Sequence, residues 1–367
     1  MLTAVLGASG DVGLASVQAL LGLGLDTLRL GGRDAAKGAR CLATLQQRWP
    51  AARLQWMTVD FNDSQAMTRF TDGSDVLLNC AGPSWQMGDR CAKAALVADA
   101  HYVDAAGDLS LDPAPWRTRC AVLGAGLQPG LTGLLPRWLA KRGFTRVQCL
   151  HSYFGLRDQF TLVAADDFLQ GAMDGSSEPL AAWHNGRRSR ALTRRRDVVM
   201  PGFPGLVQLL PYLNREGECL ARDLHLETGQ WFNVINEGYV LKALDLAHGL
   251  PRAEAARRLR QASLLDLSGQ APFVTLLLQL DGWRDDQATT RSVMLGGSGN
   301  AALTGAMAAA TVISVAHGEI GPGCHYAAEA LPPVISFERL QCTGAISALN
   351  VVHAPIEHLL RAEEGSL

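Results

Sequence analysis

Short apolar runs alternate with longer amphipathic stretches over the first 145 residues. Each apolar run has the length of a buried strand, and the stretches between the runs have the period of helices. Strands that alternate with helices predict an α/β fold, here a Rossmann-type doubly wound parallel sheet. The predicted strands span residues 2–6, 25–30, 54–59, 75–80, 101–104 and 120–123.

The turns that follow these strands are the predicted location of a ligand site. Ligands of a doubly wound sheet bind outside the carboxyl ends of its strands, so we expect the turns at those ends to face one crevice. Helices are predicted over residues 86–97 and from Pro129-Gly130 to about residue 141. The turns expected at the crevice span residues 7–13, 31–33, 60–63, 80–83 and 104–108.

The alternation becomes irregular after about residue 146. Longer apolar stretches predict strands at 147–154, 273–280 and 291–295, whereas helices are predicted over 251–265 and from 300 to about 316. The second of these helices is rich in alanine, so its small residues would allow close packing. This mixture predicts a second domain of the α+β class.

A glycine-rich turn joins the first predicted strand to the first helix. Gly7 allows a tight turn, Gly10 allows the backbone to approach a pyrophosphate, and Gly13 allows the helix to pack against the sheet. The first-turn amides and the helix dipole would then hold the anion. An incidental turn from strand to helix is the alternative. The residues predicted to bind the phosphates are Gly7, Ser9, Gly10, Asp11, Val12 and Gly13.

The end of the second predicted strand bears on the choice of cofactor. A site for NAD places an acidic residue there, whereas a site for NADP has an arginine nearby. This chain has two glycines and then Arg33, a planar donor suited to a 2′-phosphate. Asp34 follows Arg33, at a position where it can cap the next helix. The sequence therefore favours NADP(H), with a solvated loop arginine as the alternative.

Composition excludes several classes of protein. The 367 residues suggest about two domains, and 48% hydrophobic with 19% charged residues is enough apolar material for a core. A net charge of −2 gives no reason to expect nucleic acid or a membrane surface as a partner. We found no membrane-length apolar run and no signal peptide, and we therefore expect a cytoplasmic protein. The eight cysteines have no zinc-binding spacing, so no metal site is predicted.

Three motifs carry a resemblance to a known family. Residues 79–83 read N-C-A-G-P, residues 101–108 read H-Y-V-D-A-A-G-D, and residues 124–131 read G-A-G-L-Q-P-G-L. Together with the glycine turn and Gly32-Arg33, they resemble the saccharopine reductase (saccharopine dehydrogenase-like) family. The resemblance covers roughly residues 1–145 well. Farther along, only the stretch from 316 to 332 is similar.

The resemblance implies a fold, a cofactor and a class of reaction. It implies an NADP-binding Rossmann domain over residues 1–145, an α+β substrate and dimerisation domain over 146–330, and a segment at about 330–367 that returns to the first domain. It further implies a homodimer that reduces or oxidises a carbon–nitrogen bond. Within the family, the chain is similar to the thiazolinyl imine reductases of siderophore assembly, of the enantio-pyochelin kind.

Reduction of an imine requires a hydride, a proton and exclusion of water. The small residues after the fourth strand would let the backbone contact the nicotinamide and its ribose, and Asp60 is a further candidate contact with the cofactor. Candidate proton donors follow in the next strand, where alternation places Tyr102 and Asp104 on one face and His101 on the other. Ordinary packing and turn roles are the alternatives for each, and water or the substrate is an alternative donor. The residues concerned are Cys80, Ala81, Gly82 and Pro83 for the cofactor and His101, Tyr102, Asp104 and Asp108 for catalysis.

The second domain contributes further candidates. His317, Cys324 and His325 are additional candidates to line the cleft from that domain. An apolar wall against a flat substrate was expected from Trp183, Phe203 and Trp231, with core packing as the alternative.

A basic segment bears on the partner. The arginines between residues 187 and 196 indicate either a solvated loop or a docking surface for an acidic carrier protein that holds the imine substrate. Two other functions stay open, namely a saccharopine- or opine-type amino-acid dehydrogenase and a non-catalytic NADP-sensing protein.

Overall fold

The computed structural model describes residues 1–105, 111–173 and 177–359. Within them the chain divides into two compact units, residues 1–134 with 301–345 and residues 135–300 with those from 346 onward. Strands and helices are numbered along the whole chain.

The first unit contains a parallel sheet of seven strands in the order β16-β6-β5-β4-β1-β2-β3. Six of them have the order of a doubly wound nucleotide-binding sheet, and the seventh adds to the edge at β6. The predicted α/β Rossmann class is confirmed. The strands are β1 (Thr3–Leu6), β2 (Thr27–Gly32), β3 (Arg53–Thr58), β4 (Val76–Asn79), β5 (His101–Asp104), β6 (Cys120–Leu123) and β16 (Gly323–Tyr326).

Two helices of this unit begin at an aspartate that caps them. Asp34 caps α2 by accepting a hydrogen bond from the amide of Lys37, and Asp63 caps α3 through the amides of Gln65 and Ala66. The helices are α1 (Asp11–Gly22), α2 (Ala35–Arg48), α3 (Ser64–Thr71), α4 (Ser84–Met87), α5 (Arg90–Val97), α6 (Leu131–Gly143), α11 (Asn300–Ala316), α12 (Ala327–Ala330) and α13 (Pro333–Cys342), of which α6 and α11 cross the unit boundaries.

The structure refines two of the predicted helices: one is interrupted, and the other packs closely against a neighbouring helix. The single helix expected over 86–97 is interrupted, because Gly88 has a φ of +55° between α4 and α5. The small residues of α11 do allow close packing. A Cβ added at Gly305 would lie 2.6 Å from the amide nitrogen of Ser16 in α1, so only glycine fits there.

The second unit is built on a mixed sheet of ten strands. Its main path has the order β10-β9-β13-β7-β14-β15-β17, and β12 with its neighbours β8 and β11 extends from β13. The strands are β7 (Arg146–Arg157), β8 (Ser177–Pro179), β9 (Ala182–His184), β10 (Arg187–Arg188), β11 (Arg195–Val199), β12 (Leu206–Asn214), β13 (Thr228–Asn236), β14 (Phe273–Arg284), β15 (Gln287–Gly297) and β17 (Ile346–Val352).

Four helices complete the second unit, and three of them pack together. A small apolar cluster joins α7, α9 and α10 through residues that include Leu169 and Leu259. The predicted α+β class of this unit is confirmed. The helices are α7 (Leu162–Met173), α8 (Arg215–Asp223), α9 (Tyr239–Ala247) and α10 (Arg252–Asp266).

The division into units differs from the expected one. The first boundary lies near residue 134 rather than 145, and the segment that returns to the first unit is 301–345 rather than 330–367. The reason is strand pairing, because β16 adds in parallel to β6 whereas β17 pairs with β15 in the second sheet. Among the described residues, no helix is both long and apolar enough to span a bilayer.

Candidate functional site

The glycine turn lies against the ends of two neighbouring strands. Gly7 has a φ of +79°, and a Cβ added there would lie 2.8 Å from the amide nitrogen of Ala81. The amides of Gly7 and Ala8 both donate to the carbonyl oxygen of Gly31, at 2.8 and 3.0 Å. The turn is therefore fixed at the carboxyl edge of the sheet, between β2 and β4.

The start of α1 leaves its amides available. A Cβ at Gly13 would lie 2.1 Å from the carbonyl oxygen of Gly7, so this glycine lets the helix pack against its own turn. Gly10 has extended backbone, and a Cβ there would meet only the oxygen of Gly7, at 3.2 Å. No side chain caps α1. The first-turn amides, which lack partners inside a helix, can therefore bind an anion.

The end of β2 has the arrangement that the sequence predicted. Asp34 accepts from the amide of Lys37 at 2.9 Å, so its carboxylate is used as a helix cap. Arg33 is exposed, and within the described chain no hydrogen bond or ion pair involves its side chain. A Cβ added at Gly32 would lie 3.0 Å from the ring of Trp56 and 3.6 Å from the hydroxyl oxygen of Ser9, so glycine keeps this position clear. A phosphate near this turn would therefore meet a free guanidinium.

Asp60 has a local role in the structure. Its carboxylate accepts from both the amide and the side-chain amide of Asn62, at 2.9 and 3.0 Å. This arrangement shapes the turn after β3, and nothing in it tests the predicted contact with the cofactor.

The turn after β4 is held by Asn79, a residue that was not among the predicted site residues. Its side-chain oxygen accepts from the amide of Ala81 at 3.1 Å, and the amide of Cys80 donates to Leu6 at 2.9 Å. The turn continues through a cis peptide bond between Gly82 and Pro83. The sequence signal for Asn79 is an amide-bearing residue directly before a run of small residues.

Cys80 carries a protonated thiol. Its sulfur lies 3.3 Å from the hydroxyl of Ser16 on α1. Desolvation is the main cause that raises the pKa of this thiol to about 12. The thiol is neutral near pH 7 and presents neither a nucleophile nor a negative charge at this edge.

Tyr102 and Asp104 form a buried cluster with Asn79. The tyrosine hydroxyl donates to Oδ2 of Asp104 at 2.5 Å, and Nδ2 of Asn79 donates to the same oxygen at 3.2 Å. Tyr102 is 1% exposed and Asp104 is 0% exposed. Burial, reinforced by the charge of Asp104, raises the pKa of Tyr102 well above its usual value. The predicted shared face is confirmed, but both side chains point into the protein interior, not toward the crevice.

His101 lies at the wrong end of β5 for a proton donor in the crevice. It begins the strand that Asp104 ends, which places it about 10 Å from the carboxyl edge. Its Nδ1 accepts from the amide of Cys120 at 3.1 Å. Partial burial, with a smaller contribution from Arg119, lowers its pKa. Asp108, the fourth predicted catalytic residue, lies outside the described residues.

Several candidates assigned to the second domain prove to lie elsewhere. Cys324 and His325 are in β16, on the sheet of the first unit, because this strand pairs with β6. Nε2 of His325 lies 2.9 Å from the carbonyl oxygen of Gly321. His317 is 3.1 Å from Arg339, which also binds Glu319. The three aromatic residues proposed as a substrate wall, Trp183, Phe203 and Trp231, are 9%, 7% and 5% exposed and belong to the core of the second unit.

The basic segment is partly strand rather than loop. Arg187 binds Glu218 and Glu178, and Arg194 binds Gln208. The other arginines are exposed, and in the part of the chain that the structure describes their side chains form no hydrogen bond or ion pair. These free arginines are Arg188, Arg190, Arg195 and Arg196.

Comparison with known proteins identifies the fold. No family model and no curated protein matches the sequence. Apo histidine-tagged saccharopine dehydrogenase (L-Glu forming) from Saccharomyces cerevisiae matches with a TM-score of 0.64 and 17% identity, over 96% of this chain and 99% of that chain.

Two other solved structures match only a part of the chain. Triphenylmethane reductase from Citrobacter sp., complexed with NADP(H), has a TM-score of 0.24 and 20% identity over 28% of this chain and 36% of that chain. An NADPH-bound short chain oxidoreductase from Pseudomonas aeruginosa PAO1 has a TM-score of 0.23 and 24% identity over 28% of this chain and 52% of that chain. The similarity in fold to saccharopine dehydrogenase extends along nearly the whole chain.

Proposed function

We propose that this protein is an NADP(H)-dependent oxidoreductase that acts on a carbon–nitrogen bond. The observation that carries the proposal is the open glycine turn at the carboxyl edge of a doubly wound sheet, in a chain whose fold is similar to saccharopine dehydrogenase over 96% of its length.

The glycine turn fits a pyrophosphate. The amides at the start of α1 have no side-chain cap, and Gly10 presents no atom beyond Cα toward the space in front of the helix. Backbone donors and the positive end of the helix dipole would stabilise the phosphate charge. In this proposal Ser9, Asp11 and Val12 contribute backbone contacts, while Gly7 and Gly13 keep the turn in shape.

Arg33 fits a 2′-phosphate. An acidic residue able to accept from a ribose hydroxyl would favour NAD, but the nearest carboxylate, Asp34, already caps α2. The guanidinium of Arg33 can form a charge-assisted pair with a phosphate. We therefore propose NADP(H) rather than NAD as the cofactor, with Asp60 close to the adenosine end.

The turn formed by Cys80, Ala81, Gly82 and Pro83 is the proposed nicotinamide subsite. When bound, NADPH supplies the hydride. The turn contributes small side chains that let the backbone approach closely, and Asn79 holds it in place through the amide of Ala81. The neutral thiol of Cys80 adds no charge that would oppose transfer of a hydride.

The buried cluster positions the strand ends and does not donate the proton. Tyr102 directs its hydroxyl proton to Asp104, and both side chains are inaccessible to a substrate. A donor must reach the atom that takes the proton within hydrogen-bond distance. We propose that the imine nitrogen takes its proton from water or from an acidic group of the substrate.

The proposed substrate is a thiazolinyl imine held on a carrier protein during siderophore biosynthesis. The resemblance of the strand-end motifs to thiazolinyl imine reductases supports it, as do the four free arginines of the basic segment. An acidic carrier would be attracted by these charges, and the attraction would weaken with salt. We further propose a homodimer, as the resemblance implies, in the cytoplasm.

The similarity in fold to saccharopine dehydrogenase favours a second candidate. In it, the protein acts on an open-chain imine formed between two amino acids, or on the corresponding secondary amine. A third candidate, a non-catalytic NADP-sensing protein, would use the same glycine turn without turnover.

Parallel assays separate these functions. Oxidation of NADPH is followed with a carrier-bound thiazoline, a free synthetic thiazoline and open-chain amino-acid imines, and products are analysed by mass spectrometry. We expect turnover of the thiazolines. Turnover of open-chain imines alone would establish the second candidate, and NADPH binding without turnover of any substrate would establish the third.

A charge-reversal variant tests the carrier. Arg188→Glu combined with Arg195→Glu should raise KM for the carrier-bound thiazoline and leave KM for the free thiazoline unchanged. The matched control is Arg257→Glu on α10, an exposed arginine of the same unit. An equal rise in KM for both substrates would exclude carrier docking at this segment.

A further inference from the structure

The second sheet brings together a cysteine, a histidine and an aspartate that are not part of the proposed active site. Cys149 and His151 lie two residues apart on β7, so they share one face of the sheet. Asp281 on β14 is directly opposite Cys149 in the antiparallel register. The thiol, one imidazole nitrogen and one carboxylate oxygen all lie within 4.8 Å of one another.

Hydrogen bonds orient the aspartate of this cluster. Nε2 of Gln279 donates to both carboxylate oxygens of Asp281, at 3.0 and 2.9 Å, and the hydroxyl of Thr290 donates to Oδ1 at 2.6 Å. Gln279 is itself fixed, because its side-chain oxygen accepts from the amide of Ile356 at 3.0 Å. The carboxylate retains lone pairs for a further ligand, since two oxygens offer about four acceptor sites.

The cysteine and the histidine also have supporting neighbours. Thr228 lies beside Cys149 in the parallel register of β13 with β7. Glu357 is close enough to His151 to act on it electrostatically. The cluster therefore combines soft and hard donors with nearby negative charge, which attracts a cation.

We propose that Cys149, His151 and Asp281 bind one Zn²⁺ ion. Thiolate, imidazole and carboxylate are the ligand types that zinc takes in proteins, whereas Mg²⁺ and Ca²⁺ prefer oxygen ligands alone. Zinc bonds of ~2.0–2.3 Å place tetrahedral ligands roughly 3.5 Å apart, so modest side-chain rotation closes the cluster. Three protein ligands leave a fourth position for water, while Gln279 and Thr290 hold the Asp281 carboxylate from outside.

The wide spacing of the three residues explains why this site could not be predicted from the sequence. Cys149 and His151 form only a Cys-x-His pair, and the third ligand is more than one hundred residues away. Pairing of β7 with β14 is what brings them together.

Metal titration of the full-length protein tests the proposal. The protein is stripped with a chelator, dialysed against Zn²⁺ in the presence of millimolar Mg²⁺, and analysed for bound zinc. Co²⁺ then serves as a spectroscopic probe, because a thiolate ligand gives a charge-transfer band and tetrahedral coordination gives intense visible bands. The variants are Cys149→Ser and Asp281→Asn, with Cys342→Ser, an exposed cysteine of the other unit, as the control.

We expect one zinc per chain, a melting temperature that rises with free Zn²⁺, and a thiolate–cobalt band. Cys149→Ser should abolish the band, and both ligand variants should weaken zinc binding by at least about 10-fold. The control variant should match the wild-type protein. Absence of stoichiometric zinc, or a band that persists in Cys149→Ser, would overturn the proposal. Should Cys149→Ser fail to fold, Asp281→Asn and the zinc-dependent melting of the wild-type protein decide.

Discussion

The two sheets of this protein place their polar groups in different ways. In the first unit, strands of four to six residues run parallel, and the polar and glycine-rich positions follow the strand ends. In the second unit, strands reach 12 residues and pair mainly antiparallel, and polar groups such as Cys149 and Asp281 meet on a face. In the parallel sheet, the candidate site residues directly follow the strands, so each group forms a short motif that can be recognised in the sequence. In the antiparallel sheet, residues from strands that are distant in the sequence meet on one face, and no short motif marks them.

The comparison predicts that stability and cofactor binding can be separated by single substitutions in the two units. Leu277→Ala has the largest expected effect. Leu277 is 0% exposed in a cluster with Phe203 and Phe232, so its truncation should lower the free energy of unfolding by about 2–5 kcal/mol.

Denaturant unfolding measures this loss, and NADPH affinity of the folded variant should be unchanged. The matched control is Leu246→Ala, a leucine that is 57% exposed in the same unit and should cost less than about 0.5 kcal/mol. A variant of Leu277 that unfolds like the wild type would contradict the assigned core.

Gly10→Val should weaken NADPH binding and leave the free energy of unfolding nearly unchanged, the reverse of Leu277→Ala. The backbone at Gly10 is already extended, with φ −80° and ψ 168°, so a side chain is allowed there once the carbonyl of Gly7, 3.2 Å from the added Cβ, shifts slightly, and valine then occupies the space of the pyrophosphate. NADPH affinity should fall by at least about 100-fold, which is ~2.7 kcal/mol. Isothermal titration calorimetry measures it.

The control for Gly10 lies at the other end of the same helix. Gly22→Ala adds a Cβ with no atom within 4 Å and should leave NADPH binding intact. Unchanged affinity in Gly10→Val would show that this turn does not bind the cofactor.

Arg33→Ala tests which residue of the first unit determines the preference for NADPH over NADH. Loss of a charge-assisted pair with the 2′-phosphate should weaken NADPH binding by roughly 10- to 100-fold, or about 1.5–3 kcal/mol, and leave NADH binding unchanged. Arg53→Ala, at an exposed position on β3, is the control. Equal weakening of both cofactors by Arg33→Ala would refute the proposed specificity.

Tyr102→Phe has the smallest expected effect and tests the role of the buried cluster. Asp104 loses the hydrogen bond from the tyrosine hydroxyl, so the free energy of unfolding should fall by about 1–2 kcal/mol. The catalytic rate should change little, whereas removal of a general acid would lower kcat by about 10²- to 10⁴-fold. Tyr239→Phe, at a residue that is 53% exposed, serves as the control.

Local chemistry made much of the first unit predictable from sequence. The glycine turn, the cap formed by Asp34 and the strand that carries Tyr102 and Asp104 follow from residues within a few positions of one another. The predicted proton donors show what local sequence patterns cannot predict. Alternation placed Tyr102 and Asp104 on one face correctly, but it could not show that the face is buried.

Long-range pairing explains what the sequence could not predict. His101 was a reasonable acid by residue type, and its position at the start of β5 is what excludes it from the carboxyl edge. The residues around Cys324 were assigned to the wrong unit because β16 pairs with a strand about two hundred residues earlier. The same holds for the Cys149 cluster, which exists only through the register of β7 with β14.

β16 is synthesised about two hundred residues after its neighbour β6, and this separation affects folding during synthesis. When residues 1–134 have left the ribosome, all strands of the first sheet except β16 are available for folding. The edge of β6 then has no neighbouring strand. Open edges invite pairing with other chains, and contacts of high sequence separation slow folding. A fragment cut at residue 134 would therefore be prone to aggregation. A minimal nucleotide-binding module would instead need residues 1–134 joined by a designed linker to residues 301–345.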